Sequence, residues 1–151
     1  MNLTLASILL NLGLGSYELI LILVILCISI LPLIFYLLTL QNTLEKISVE
    51  NRKMNPGEVW LSLIPVFGFI WQFFIVMKMA DSLKAEFAKL NIPIIEDKPG
   101  YSIGLAYCIL FCCGVIPFLG ILSSIGGLVC WIIYWIKIND FKAMLLKNPI
   151  K

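Results

Sequence analysis

Residues 99–136 contain no charged side chain, and residues 19–44 contain none either. The first run has 38 positions, enough for two helical passes through an apolar core of about 30 Å and a turn between them. The second has 26 positions, enough for one pass. A chain of 151 residues has too small an interior to hide this much apolar helix from water. The sequence therefore predicts a membrane as its solvent. Hydrophobic residues make up 61% of the chain and charged residues 13%, against roughly half and a quarter in soluble domains.

The same composition narrows the chemistry. A net charge of +2 gives no case for nucleic acid. No Lys or Arg precedes the first apolar run and no small-residue cleavage pattern follows it, so that segment is expected to be retained rather than removed as a signal peptide. Cys27, Cys108, Cys112, Cys113 and Cys130 all lie inside apolar runs. A disulfide framework would put them in loops, and a metal site would want His or carboxylates beside them, yet the chain has no His. They read as small packing residues, with no metal and no cofactor expected. No Ser or Cys has a His base, no phosphate-cradling glycine loop is present, and no carboxylates pair within a span. The chain is expected not to be an enzyme.

The expected fold is all-α, a single helical membrane domain over 1–151. Residues 1–16 are an interfacial segment or an extension of the first span, which occupies 17–40 with Pro32 inside it. A polar, cytoplasmic loop covers 41–58 and ends in Asn55-Pro56-Gly57-Glu58, which places N-cap, N1 and N3 residues as a helix start requires. Residues 59–77 are uncharged but broken at Ile64-Pro65-Val66-Phe67-Gly68. Beyond the break, Phe73, Met77, Ala80, Leu83, Phe87 and Leu90 recur at helical spacing among charged residues, an amphipathic helix over 78–91 that Asn91 and Pro93 end. Residues 99–136 form a helical hairpin around Pro117-Phe118-Leu119-Gly120, and 137–151 a cytoplasmic tail whose first part extends the last helix.

Two stretches share one plan: Pro-Gly, an apolar arm, Ile-Pro-x-x-Gly, a Trp, then a Lys. The first begins at Pro56 and turns at Pro65; the second begins at Pro99 and turns at Pro117. The shorter first arm covers about 14 Å, half the apolar core. The first copy is accordingly a broken or re-entrant hairpin, giving three full spans plus that hairpin. If 59–77 crosses instead, there are four spans. The re-entrant reading puts all 11 basic residues on one side, with the N-terminus outside and the C-terminus in the cytoplasm; four spans split them 8 to 3.

The residues singled out follow from this layout. Pro65 and Gly68 make the break, and Trp71 follows it; Ser62 and Gln72 flank it, where freed backbone groups need partners that lipid cannot supply. Gly104, Cys108 and Cys112 lie at i, i+4, i+8, facing Ser124, Gly127 and Cys130, with Cys112 opposite Ser124; small facing residues let helices approach closely. Leu83 and Phe87 belong to the apolar stripe, expected to be buried in headgroups or in a partner. Lys78, Lys84 and Lys89 on the same helix are expected to meet the anionic leaflet. Glu18 reads as an interfacial carboxylate rather than a proton site. Trp60, Trp131, Tyr134 and Trp135 sit near the ends of apolar segments, as an aromatic belt would, while Trp71, which follows the Pro65 break, is less easily placed.

The elements Pro56-Gly57, Trp60, Ile64-Pro65, Trp71-Gln72-Phe73 and the charged stretch over 78–89 resemble a pattern in a family of small uncharacterised bacterial multi-pass membrane proteins. Many of its members carry Asn in the tip where this chain has Gly68. The resemblance implies a bacterial inner (plasma) membrane location and carries over no catalytic residue. The expected function is non-enzymatic, by contact with the anionic leaflet of the bilayer, with a membrane or cytoplasmic protein, or with a second copy in a homo-oligomer. The alternative is a small oligomeric channel, transporter or lipid-handling protein with its pathway near Pro65.

Overall fold

The computed structural model describes residues 15–114, 116 and 120–148. Among the described residues, four α-helices and a 3-10 helix follow in order: α1 (Ser16–Lys46), the 3-10 helix (Pro56–Leu63), α2 (Phe67–Lys89), α3 (Tyr101–Cys113) and α4 (Gly120–Lys147). No strand occurs among the described residues. The fold is all-helical, and two of its helices, Tyr17–Lys46 and Gly120–Lys147, are long and apolar enough to cross a membrane. The expected interfacial segment over 1–14, the tip at Pro117-Phe118-Leu119 and the end of the tail lie outside the described residues.

The chain divides into two compact units, Met1–Phe35 and Tyr36–Lys151. In the first, α1 begins with its own cap. The Gly15 N–H donates to Glu18 Oε2 at 2.7 Å, and a carboxylate in the first turn also suits the positive end of the helix dipole. Glu18 is thus a capping residue. Pro32 sits inside α1 without ending it. Ile20, Leu21, Ile22 and Leu23, consecutive and so spread around the helix, are all exposed.

The second unit holds the core. Tyr36, Leu37, Leu40, Leu44 and Ile47, at three- and four-residue spacing, are completely or almost completely buried. That burial carries α1 to Lys46, six residues beyond the expected end of the span. Gln41 donates to Glu45 at 3.0 Å, and Arg52 Nη2 donates to the Ile47 carbonyl at 3.0 Å just past the helix end. Asn55 and Pro56 start the next element as predicted, but it is a 3-10 helix, and the Asn55 side chain donates to Glu58 at 2.6 Å rather than capping backbone.

The break falls at Ile64-Pro65-Val66. Pro65 has no N–H for a helix interior, and Val66 takes φ 64°, a left-handed conformation costly for a β-branched residue. The chain then reverses. A Cβ on Gly68 would lie 2.0 Å from the Ser62 carbonyl oxygen, so only glycine lets the two arms close. Trp71 Nε1 donates across the hairpin to the Glu58 carbonyl at 2.8 Å. At the other end, Asn91 takes φ 54°. The Ile92 N–H reaches the Phe87 carbonyl at 3.0 Å and the Asn91 N–H reaches Ala88 at 3.3 Å, a Schellman stop at the predicted place.

The stripe on α2 corrects one expectation. Leu83 and Phe87 are fully buried, with Val76, Met79 and Ala80, inside the chain itself. Phe87 meets Phe141 of α4 edge-on at 5.7 Å between centroids. Cover comes from α4, whose expected extension past residue 136 runs to Lys147, with Ile138, Phe141 and Leu145 buried on one face. The stripe is core, and headgroups or a partner do not cover it.

α3 is also shorter than the 99–116 arm expected. Gly100 at φ 72° is its N-cap, and 13 residues give about 20 Å of helix. The hairpin register is shifted as well. A Cβ on Gly114 would lie 3.2 Å from Ser124 Oγ, and one on Gly127 3.4 Å from Leu110 Cβ. Ser124 thus faces Gly114, two residues beyond the expected Cys112.

Candidate functional site

Three indoles mark one level of the second unit. Trp60 Nε1 donates to Gln41 Oε1 at 2.6 Å, Trp135 Nε1 to Thr39 Oγ1 at 2.9 Å, and Trp71 Nε1 to the Glu58 carbonyl. Thr39 and Gln41 are separated by about 3 Å along α1. The charged residues lie beyond this level on α1, and the uncharged run lies on its other side. Trp71, hard to place from sequence, belongs here because the hairpin folds it back beside Glu58. It stacks on Phe67 at 5.3 Å.

One turn into the uncharged side sits a neutral polar cluster. Tyr36 Oη lies 3.0 Å from Tyr107 Oη, and Gln72 Nε2 donates to both, at 2.9 and 2.7 Å. The three side chains come from α1, α2 and α3, so the ring ties those helices together. Tyr36 also meets Trp131 edge-on at 5.2 Å, and Tyr107 packs against Tyr134 at 5.3 Å, which brings in α4. Tyr134 Oη is buried and has no hydrogen-bond partner. Nothing in the cluster carries a charge. It is suited to holding helices in register and not to acid–base work.

Gly104 makes room for this packing. A Cβ there would fall 2.6 Å from Val76 Cγ1 and 2.8 Å from Tyr134 Cε2. Gly104 and Cys108 are buried, whereas Cys112, on the same expected stripe, is exposed. Gly127 is buried but in ordinary contact. The close approach is therefore at Gly104, between three helices, and not along the whole stripe.

The charged end is cross-linked by its own side chains. Glu86 is fully buried and accepts from the Ser48 N–H at 3.1 Å, Ser48 Oγ at 2.7 Å and Asn51 Nδ2 at 2.7 Å. Ser82, also buried, accepts from the Lys53 N–H at 2.8 Å and donates to the Lys78 carbonyl at 2.6 Å. These bonds hold the 47–55 loop on α2. Lys84 pairs with Asp97 at 2.6 Å, Lys98 with Asp81 at 3.1 Å, Lys89 with Glu50, and Lys137 with Glu96. The charges of Lys84 and Lys89, expected to meet lipid, are answered within the chain. The bond from Lys137, together with the Gly100 N–H, holds the Glu96 carboxyl below the usual carboxylate range. Lys89 does the same to Glu50, and Lys84 to Asp97.

Sequence reasoning named Pro65, Gly68, Trp71 and Gly104 at points the structure makes tight or bonded. It did not see that Gln72 reaches Tyr36 and Tyr107, nor that Glu86 is buried. Three tyrosines and a glutamine within uncharged runs were the available signal for the first. Among the described residues, no three His, Cys, Asp or Glu side chains gather as a metal site would need. No protein-family model, curated protein or solved structure matches the chain.

Proposed function

We propose that this chain is a non-enzymatic, multi-pass membrane protein of the bacterial inner membrane that acts by contact. The observation that carries the reading is on α1. The consecutive Ile20, Leu21, Ile22 and Leu23 are exposed on all sides of a helix that carries no charge between its Glu18 cap and Glu45. Water does not tolerate such a surface; lipid and other transmembrane helices do. The indole level supports a membrane boundary at residues 39–41 of α1, since indoles favour that interface. Phe67, Phe69 and Ile70, exposed at the turn of the hairpin, support its re-entrant insertion to part of the bilayer depth, with the basic residues and the C-terminus in the cytoplasm. The internally bonded charged end then serves as a rigid platform, and the exposed half of α1 as the surface that meets a partner helix.

A photo-reactive residue at Leu21 or Ile28 tests this in native membranes. A discrete protein adduct is expected. Adducts with lipid alone would shift the reading to a channel, transporter or lipid-handling protein, which the polar ring beside the broken helix favours and which solute flux in liposomes would reveal. Cysteine labelling of Ser48→Cys and Lys89→Cys from the same side is the expected topology result. Labelling from opposite sides would replace the re-entrant hairpin with a span.

A further inference from the structure

Between the 47–55 loop and the start of the 3-10 helix lies an open cleft of about 240 Å³, lined by Val49, Arg52, Lys53, Met54, Asn55 and Glu58. Lys84, Lys89, Lys98 and Lys137 each have a carboxylate. Arg52 and Lys53 have none among the described residues, although they are adjacent and line the same cleft. Arg52 Nη2 is held by the Ile47 carbonyl, and its Nε is buried without a partner. The Glu45 carbonyl accepts from the same nitrogen at 3.4 Å, so the guanidinium is fixed in position, with no carboxylate partner among the described residues. The same lining includes Glu58, whose carboxylate accepts from Asn55. One small cleft thus presents two cations and one anion.

The cleft also has a defined level. The carbonyl of Glu58 accepts the Trp71 indole N–H, so the wall of the cleft is part of the indole boundary. The volume is below the roughly 300–1,000 Å³ of drug-sized sites and suits a headgroup whose tail remains outside. We infer that the cleft binds the headgroup of a zwitterionic aminophospholipid, with the phosphate on Arg52 and Lys53 and the primary ammonium on Glu58. A singly anionic headgroup would satisfy the cations and leave Glu58 facing negative charge. A quaternary ammonium would offer Glu58 no N–H. Phosphoethanolamine is the class that answers both signs of charge in the lining.

This inference rests on the membrane reading, and its test separates the two. The full chain is reconstituted in an equal mixture of phosphatidylethanolamine, phosphatidylglycerol and phosphatidylcholine, then extracted, and the retained lipid is identified by native mass spectrometry. One phosphatidylethanolamine per chain is expected, in preference to the others. Lys53→Gln, which keeps the backbone N–H that Ser82 needs, should lower its retention about tenfold, as loss of a charge-assisted hydrogen bond would. Glu58→Gln should abolish the preference over phosphatidylglycerol, and Lys147→Gln, on the exposed end of α4, should change nothing. Equal retention of all three lipids, or unchanged retention in Lys53→Gln, overturns the assignment. Displacement of the lipid by millimolar O-phosphoethanolamine would assign the cleft to a soluble phosphoamine and overturn the lipid. Failure of the wild-type chain to float with vesicles after an alkaline wash would overturn the membrane reading and the inference together.

Discussion

Two buried polar clusters of the second unit are built from different materials. At the charged end, the Glu86 carboxylate gathers Ser48 and Asn51 and fastens a loop to a helix. Among the apolar helices, Gln72 gathers two neutral hydroxyls and fastens helix to helix. Close to water, a charge can be buried because solvent and the chain supply enough donors nearby. Deep among apolar side chains the same charge would be far costlier, so the lock is made of amide and phenol. The difference teaches that the two ends obey one rule, that buried polar groups be bonded, under two solvents.

Four substitutions and titrations would break or sharpen the contrast. The largest effect is expected from Glu86→Ala, which orphans two N–H donors and a hydroxyl. It should cost about 3 kcal/mol or more, and limited proteolysis should cut the 47–55 loop first while the helices survive. Uniform loss of all structure would mean that the carboxylate holds more than the loop. Next is Gln72→Leu, expected to cost about 1–3 kcal/mol in detergent unfolding, because two buried hydroxyls lose a donor while keeping each other. Its effect should be insensitive to salt; a strong salt dependence would show that the ring is not a neutral lock.

A glycine pair sharpens the geometry. Gly104→Ala should destabilise by about 1–3 kcal/mol, since Val76 and Tyr134 must both move. Gly127→Ala meets only ordinary contacts at 3.4 Å and should be neutral, or stabilising by up to about 1 kcal/mol through helix propensity. Equal effects in detergent unfolding would contradict the asymmetry.

The smallest effect concerns pH. The Glu96 carboxyl is held below the ordinary range in the folded chain by Lys137 and Gly100. Its contribution is therefore present above the unfolded carboxylate range, near 4.5, and is lost as pH falls through the lower folded value. Because both partners are substantially exposed, only a few tenths of a kcal/mol are expected, weaker still in high salt. Glu96→Gln should flatten that part of the pH–stability curve, read as melting temperature between about pH 3 and 6. An unchanged curve would assign the acid sensitivity to other carboxylates.

Local signals were legible, and long-range ones were not. Asn55-Pro56 starts an element, Ile64-Pro65 breaks the chain, and Asn91 stops α2, each where dihedral preference requires it. Periodicity identified the buried face of α2 but not what buries it, because spacing reveals a face and never its neighbour. The helices outlast the apolar runs because burial of Leu44, Ile138 and Phe141 rewards continuation; the extension of α4 past Lys137 was legible, whereas the change to polar residues at 41 was mistaken for the end of α1. Gly104 was correctly read as a point of close approach, while Cys112 and Gly127 were grouped with it by spacing alone. Glu86 and its donors are 35 and 38 residues apart, a distance over which no local pattern speaks.

The indole boundary has a consequence for bilayer thickness. Trp60 and Trp135 hold α1 at Gln41 and Thr39 from two different elements, and Trp71 ties the hairpin to the same level. These elements cannot slide past one another to suit a thinner or thicker bilayer without breaking bonds between them. In the membrane proposed here, the leaflet at the charged end is gripped at a fixed height. Hydrophobic mismatch must then be taken up on the opposite leaflet, by stretching or compressing lipid rather than by shearing the bundle.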